Sequence, residues 1–175
     1  MIAPVTLANG LTLLRGALIA PLVVGVLGGH RWWAVAAFGL AVLTDALDGL
    51  VARRRGEVTL MGAVLDPVMD KLLYLALFAA MSGVGRLPWL APLFYGVPQL
   101  GLGLGAILLW ERRERLGARW PGKAAAALTA AAATWLLLLP GGTPLVWGAV
   151  GANWLAALYY LAYQAGWLSS SQAHP

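Results

Sequence analysis

Cysteine is absent from the 175 residues, which excludes disulfides and thiolate-held metals. Charge is scarce as well. Charged residues make up 11% of the chain, against about 25% in a typical soluble domain. What fills the gap is a 61% hydrophobic composition, which excludes an ordinary soluble domain and reads as a membrane protein. At about 20 residues per spanning helix, the length accommodates five or six spans and no separate soluble domain. No basic surface interleaved with aromatics lies outside the apolar runs, so no nucleic acid partner is expected. The net charge of +5 is clustered, as suits membrane lipid headgroups or a phosphorylated substrate. The N-terminus has neither a basic start nor a clear small-residue cleavage site, so the first span is expected to stay in the mature protein.

The apolar runs and the turn residues between them predict an all-α, polytopic membrane protein with six transmembrane helices. Residues 1–9 read as a lead-in that breaks at Asn9-Gly10. The spans follow at about 11–27, 33–54, 61–82, 89–111, 124–139 and 144–167. Residues 1–168 then form a single integral membrane domain, and 169–175 a disordered polar tail. Pro92 and Pro98 are expected to bend the fourth span. Trp32, Trp33, Trp89, Trp110, Trp120, Trp147 and Trp167 fall near span ends, where interfacial anchoring explains them. Gly101, Gly103 and Gly105, with Gly148 and Gly151, point to close helix packing or a homodimer interface. Arg53, Arg54, Arg55, Arg112, Arg113, Arg115, Arg119 and Lys123 share one side of this topology, and only Arg31 and Arg86 lie on the other. The positive-inside rule makes the basic side, with both termini, cytoplasmic. The setting expected is the inner or cell membrane of a prokaryote.

Against this background the stretch from Asp45 to Lys71 stands out, because it holds four aspartates. Asp45 and Asp48 are three residues apart, Asp66 and Asp70 four apart, so each pair shares one helix face. Asp45, Asp48, Gly49, Ala52 and Arg53 fall within an arc of roughly 140°. Gly62, Asp66 and Asp70 form a stripe roughly 80° wide on the next helix. A single aspartate pair at a membrane edge could sit in headgroup water. Two pairs at the adjoining ends of consecutive spans can converge, and converging carboxylates in an apolar setting require cations. Hard oxygen ligands without His or Cys favour Mg²⁺, Mn²⁺ or Ca²⁺ over zinc. Four carboxylates suit two ions about 3.5–4 Å apart, an arrangement that clamps a phosphoryl group during displacement. Gly49, Gly62 and Ala52 keep the face shallow enough for a diphosphate to approach. Arg53 can reach phosphate oxygens in bidentate fashion, or snorkel to the interface as Arg54 and Arg55 would.

The sequence Asp45-x-x-Asp48-Gly49-x-x-Ala52-Arg53, then eight residues, Gly62, three residues, Asp66, three residues and Asp70, resembles the full motif of the CDP-alcohol phosphotransferases. The stretch from Asn9 through Thr12 to Arg15, with Asp66-Pro67, Asp70-Lys71 and Pro121-Gly122-Lys123, is similar to the phosphatidylglycerophosphate and cardiolipin synthase branch. The resemblance implies transfer of a phosphatidyl group from CDP-diacylglycerol to an alcohol, with release of CMP. By the same resemblance Asp45, Asp48, Asp66 and Asp70 ligate two divalent ions, Mg²⁺ or Mn²⁺, and Asp70 also acts as the base. Gly49, Arg53 and Thr59 match positions that hold the CDP moiety, and the Asn9–Thr12 region helps enclose it.

The acceptor half departs from that branch. Pro98-Gln99 stands where an arginine–acid pair is usual, and alanines with Thr129 follow Lys123 in place of lysine, threonine and glutamine. Arg119 and Lys123 are the candidates to hold a phosphorylated acceptor, with glycerol 3-phosphate the leading one. Inositol phosphate and phosphatidylglycerol are the rivals. A small cation transporter is the competing class, for which carboxylates near the midplane of several spans would be expected. His30 falls on the far side from the aspartates.

Overall fold

The computed structural model describes the backbone of residues 7–55, 60–108 and 120–164, and side chains within 10–47, 66–101 and 120–163. Among the described residues there are six helices and no strand: α1 (Leu7–Leu27), α2 (Arg31–Arg55), α3 (Leu60–Gly83), α4 (Leu90–Leu108), α5 (Trp120–Leu138) and α6 (Thr143–Gln164). They form two compact units, residues 1–89 and 90–175.

In the first unit α1 is the common neighbour, packing against both α2 and α3. Its buried side chains include Leu22 and Val26 of α1, Ala34, Phe38 and Ala41 of α2, and Leu73, Leu77 and Phe78 of α3. The spacing 34, 38, 41 is one stripe of a helix. Phe38 and Tyr74 meet edge to face, with ring centroids 6.1 Å apart. Backbones come close where a side chain is missing. A Cβ at Gly25 would lie 2.9 Å from the Ala34 nitrogen, so α1 and α2 touch there main chain to main chain.

The predicted turns after α1, α3 and α5 are present, and glycine explains the first two; the loops expected near 55–60 and 111–123 lie largely outside the described residues. Gly29 has φ +72°, with His30 N bonding Gly25 O at 2.8 Å and Gly29 N bonding Val26 O at 3.2 Å. Gly85 has φ +74°, with Arg86 N on Met81 O at 2.8 Å and Gly85 N on Ser82 O at 3.0 Å. Both are the paired bonds of a left-handed helix stop, which a residue with a side chain adopts at a cost.

The second unit packs α6 against α4 and α5. Asn153 of α6 donates to Thr129 Oγ1 of α5 at 2.9 Å and accepts from the Gln99 amide of α4. The Thr129 hydroxyl in turn donates to Ala125 O at 2.8 Å. Thr129 and Asn153 are buried, so three helices share one polar chain inside an apolar unit. Trp154 Nε1 donates to Phe94 O at 2.9 Å.

Two expectations need correction, and a third is narrowed. Asn9-Gly10 does not break the chain, since α1 starts at Leu7; first-turn N–H groups have no intrahelical partner, so Asn and Gly cost little there. Pro92 lies in the first turn of α4, where a missing N–H is harmless, and Pro98 is the proline inside that helix. Among the described residues Gly101, Gly148 and Gly151 have no atom within 4 Å of an added Cβ, so of the two roles expected for them close packing inside the described chain is not seen and the homodimer interface stays open. Gly103, Gly105, Trp110, Trp167 and the tail 169–175 lie outside the described residues.

Apolar side chains cover the outside. Leu13, Leu14, Val24 and Leu27 of α1, Leu40 and Leu43 of α2, and Leu155, Leu158 and Leu161 of α6 are all exposed. In water such a surface would aggregate, whereas hydrocarbon accepts it. Trp32, Trp33, Trp89 and Trp120, near helix ends, are exposed too. Among the described residues two helices are long and apolar enough to cross a membrane, at Gly10–Leu27 and Thr143–Tyr163. Asp66, Asp70 and Lys71 give the described part of α3 three charges in little more than one turn, which sets it apart from those two. The chain is therefore associated with a membrane.

Candidate active site

Asp45 lies in the last half of α2, and Asp66 and Asp70 in the first half of α3. A helix supplies the precision here: one turn separates Asp66 from Asp70, so both leave α3 on one face. What joins α2 and α3 at this level is α1. Arg15 Nη1 is 2.9 Å from Asp45 Oδ1 in an ion pair, and the Thr12 hydroxyl donates to Asp66 Oδ1. Arg15 and Thr12 are fully buried, while the Asp45 side chain is 54% exposed. A guanidinium removed from water needs a counter-charge, and the more exposed Asp45 carboxylate provides it.

The two contacts converge. Thr12 and Arg15 are three apart on α1, so their Cβ atoms are about 5–6 Å from each other. One carboxylate from α2 and one from α3 are thus anchored within a single turn of the helix between them.

This donor set fits hard divalent cations. Its members are carboxylates, held from behind by a hydroxyl and a guanidinium in the way outer partners orient metal ligands. Among the described residues no three acidic or imidazole side chains close into a metal-holding group by themselves. Asp48, the fourth predicted ligand, lies outside the described side chains, as do Asn9, Gly49, Ala52, Arg53 and Gly62; only their helical backbone is described. Thr59 and Arg119 lie outside the described residues altogether. Lys123 is described, near the start of α5, and is exposed.

The structure adds contacts for two residues of α1. Thr12, expected beside the CDP moiety, contacts Asp66. Arg15 had no role in the sequence reading beyond marking a resemblance, yet it is the cation beside Asp45. The signal was in plain view: a lone arginine inside an uncharged span is costly unless paired. An open groove of about 840 Å³ lies at the other end of α1, lined by Pro21, Val24, His30, Arg31 and Trp33. His30 sits in that groove and takes no part in the aspartate site. Thr12 and Val24 are twelve residues apart on one helix, about 18 Å of rise.

The CDP-alcohol phosphatidyltransferase pattern matches residues 5–162. A Mycobacterium tuberculosis protein provisionally named phosphatidylglycerophosphate synthase is 36% identical over 145 residues, covering 79% of this chain and 68% of its own length. A Mycobacterium bovis protein provisionally named cardiolipin synthase is 30% identical over 168 residues, covering 88% of this chain and 80% of its own length. A CDP-diacylglycerol–glycerol-3-phosphate 3-phosphatidyltransferase of Cereibacter sphaeroides is 36% identical over 90 residues, which is 49% of this chain and 41% of that protein.

Proposed function

The chain belongs to the CDP-alcohol phosphatidyltransferase family and is a transferase of phospholipid biosynthesis, and on that premise we propose that it joins the phosphatidyl group of CDP-diacylglycerol to glycerol 3-phosphate. The observation that carries the reading is the anchoring of Asp45 and Asp66 on one turn of α1. It sits within a motif whose every fixed residue is present.

In this reading Asp45, Asp48, Asp66 and Asp70 hold two divalent ions, Mg²⁺ or Mn²⁺. The ions supply positive charge against the diphosphate and the departing CMP. Asp70 takes the proton of the acceptor hydroxyl. The acceptor oxygen then bonds to the phosphorus that carries diacylglycerol, and the bond from that phosphorus to the bridging oxygen breaks. CMP leaves with the bridging oxygen. Gly49, Ala52 and Gly62 give the diphosphate room, while Arg53 and Thr59 hold the CDP portion and the Asn9–Thr12 region helps enclose it. Arg119 and Lys123 receive the acceptor's phosphate. α1 to α6 are six membrane spans, with the aspartates and the basic segments on the cytoplasmic side. The exposed leucines of α1, α2 and α6 support that placement.

The test is CMP release by purified protein with CDP-diacylglycerol and a panel of acceptors. Turnover with glycerol 3-phosphate, lost in EDTA and restored by Mg²⁺ or Mn²⁺, is the expected result. No CMP with any acceptor would end the proposal. Release only with inositol phosphate or phosphatidylglycerol would keep the chemistry and change the acceptor.

A further inference from the structure

We infer that Thr12 and Arg15 are positioning residues, which set the separation and aim of Asp45 and Asp66 so that carboxylates from two different helices address the same pair of cations. The inference rests on the proposed metal site and deepens it. In this role each acts through the carboxylate it holds.

The geometry carries the argument. α2 and α3 each pack on α1, so the distance between their carboxylates is set through α1. Arg15 reaches α2 and Thr12 reaches α3, three residues apart on a rigid helix. Both side chains are fully buried, so their own positions are fixed by packing rather than by water. Asp45, by contrast, has a side chain 54% exposed. Without Arg15 it would sample several rotamers, and the entropy of ordering it would fall on metal binding.

Charge makes the inference testable by sign. Arg15 is a cation beside a cation site. If its role were through-space only, removing it would strengthen metal binding, because a repulsive charge would be gone. A positioning role predicts the opposite. Outer residues that orient metal ligands typically change metal affinity by 10–100-fold when removed. Lysine keeps the charge of Arg15 without the planar fork that fixes a carboxylate, so Arg15→Lys is expected to fall between the wild type and Arg15→Met.

The experiment is Mn²⁺ binding to the detergent-solubilised protein, followed by the paramagnetic signal of free Mn²⁺, with thermal unfolding measured on each variant. Arg15→Met and Thr12→Val are expected to raise the Mn²⁺ Kd about 10-fold or more. Thr12→Ser, which keeps the hydroxyl, is expected to bind as the wild type does. Arg15→Met leaves Asp45 in contact with water, so it strands no buried charge. If Arg15→Met nonetheless fails to fold, the Thr12→Val and Thr12→Ser pair reads the same inference through Asp66. Unchanged or tighter Mn²⁺ binding in Arg15→Met, or equal binding by Thr12→Val and Thr12→Ser, would overturn it. Wild-type protein that binds no Mn²⁺ and releases no CMP would instead remove the proposed function on which it stands.

Discussion

Replacing Asn153 by leucine keeps the branched arrangement of four heavy atoms and deletes the polar hub of the second unit. Asn153 donates to Thr129 Oγ1 at 2.9 Å and to Ala149 O at 2.8 Å, and accepts from Gln99. The Ala149 carbonyl belongs to the same helix and retains its helical setting. The loss is therefore concentrated in the two bonds that cross between helices. Such bonds in membrane proteins average about 0.6 kcal/mol and reach about 1.7 kcal/mol. Two of them give about 1.2–3.4 kcal/mol. For a chain of this length each kcal/mol moves the midpoint about 2–4 °C, so Asn153→Leu is expected to lower Tm by roughly 2–14 °C. The assay is thermal unfolding in detergent micelles, followed by tryptophan fluorescence. A double-mutant cycle with Gln99→Leu then isolates one bond. The double variant should be less destabilised than the sum of the single ones, with a coupling of about 0.6–1.7 kcal/mol. Additivity within about 0.3 kcal/mol would refute the claim that Gln99 and Asn153 are energetically joined.

Two further outcomes follow from the same structure. Gly25→Ala places a Cβ 2.9 Å from the Ala34 nitrogen and 3.1 Å from its Cα, where only backbone can give way. A loss of about 1–3 kcal/mol is expected. Gly16→Ala meets the Met69 sulfur at 3.0 Å, a flexible thioether that can move aside, so its Tm should stay near wild type; equal shifts in the two variants would contradict the close α1–α2 approach. Asp70→Asn should slow turnover about 10²–10⁴-fold while CDP-lipid binding, measured by equilibrium dialysis, is largely kept, and an active Asp70→Asn enzyme would remove Asp70 as the base.

The sequence alone determined the chemistry-bearing stretch and the helical class. Fixed spacings are local: three or four residues between carboxylates put them on one face of any helix, whatever packs against it. Glycines at 29 and 85 stop helices for the same local reason. Which partner each carboxylate would find is not local. Arg15 is thirty residues from Asp45, and Thr12 is fifty-four from Asp66. Periodicity placed α1 but could not say that its inner face lies against both α2 and α3. Gln99 and Thr129 read as gaps in a family pattern until packing joined them through Asn153. The glycines at 101, 148 and 151 suggested close helix packing or a dimer interface, and among the described residues the tightest approaches occur instead at Gly25 and Gly122. A missing side chain permits contact, and only the arrangement of whole helices decides where contact is made. The same division runs through the active site. Local pattern chose which residues carry charge, and tertiary packing chose which of them hold the others in place.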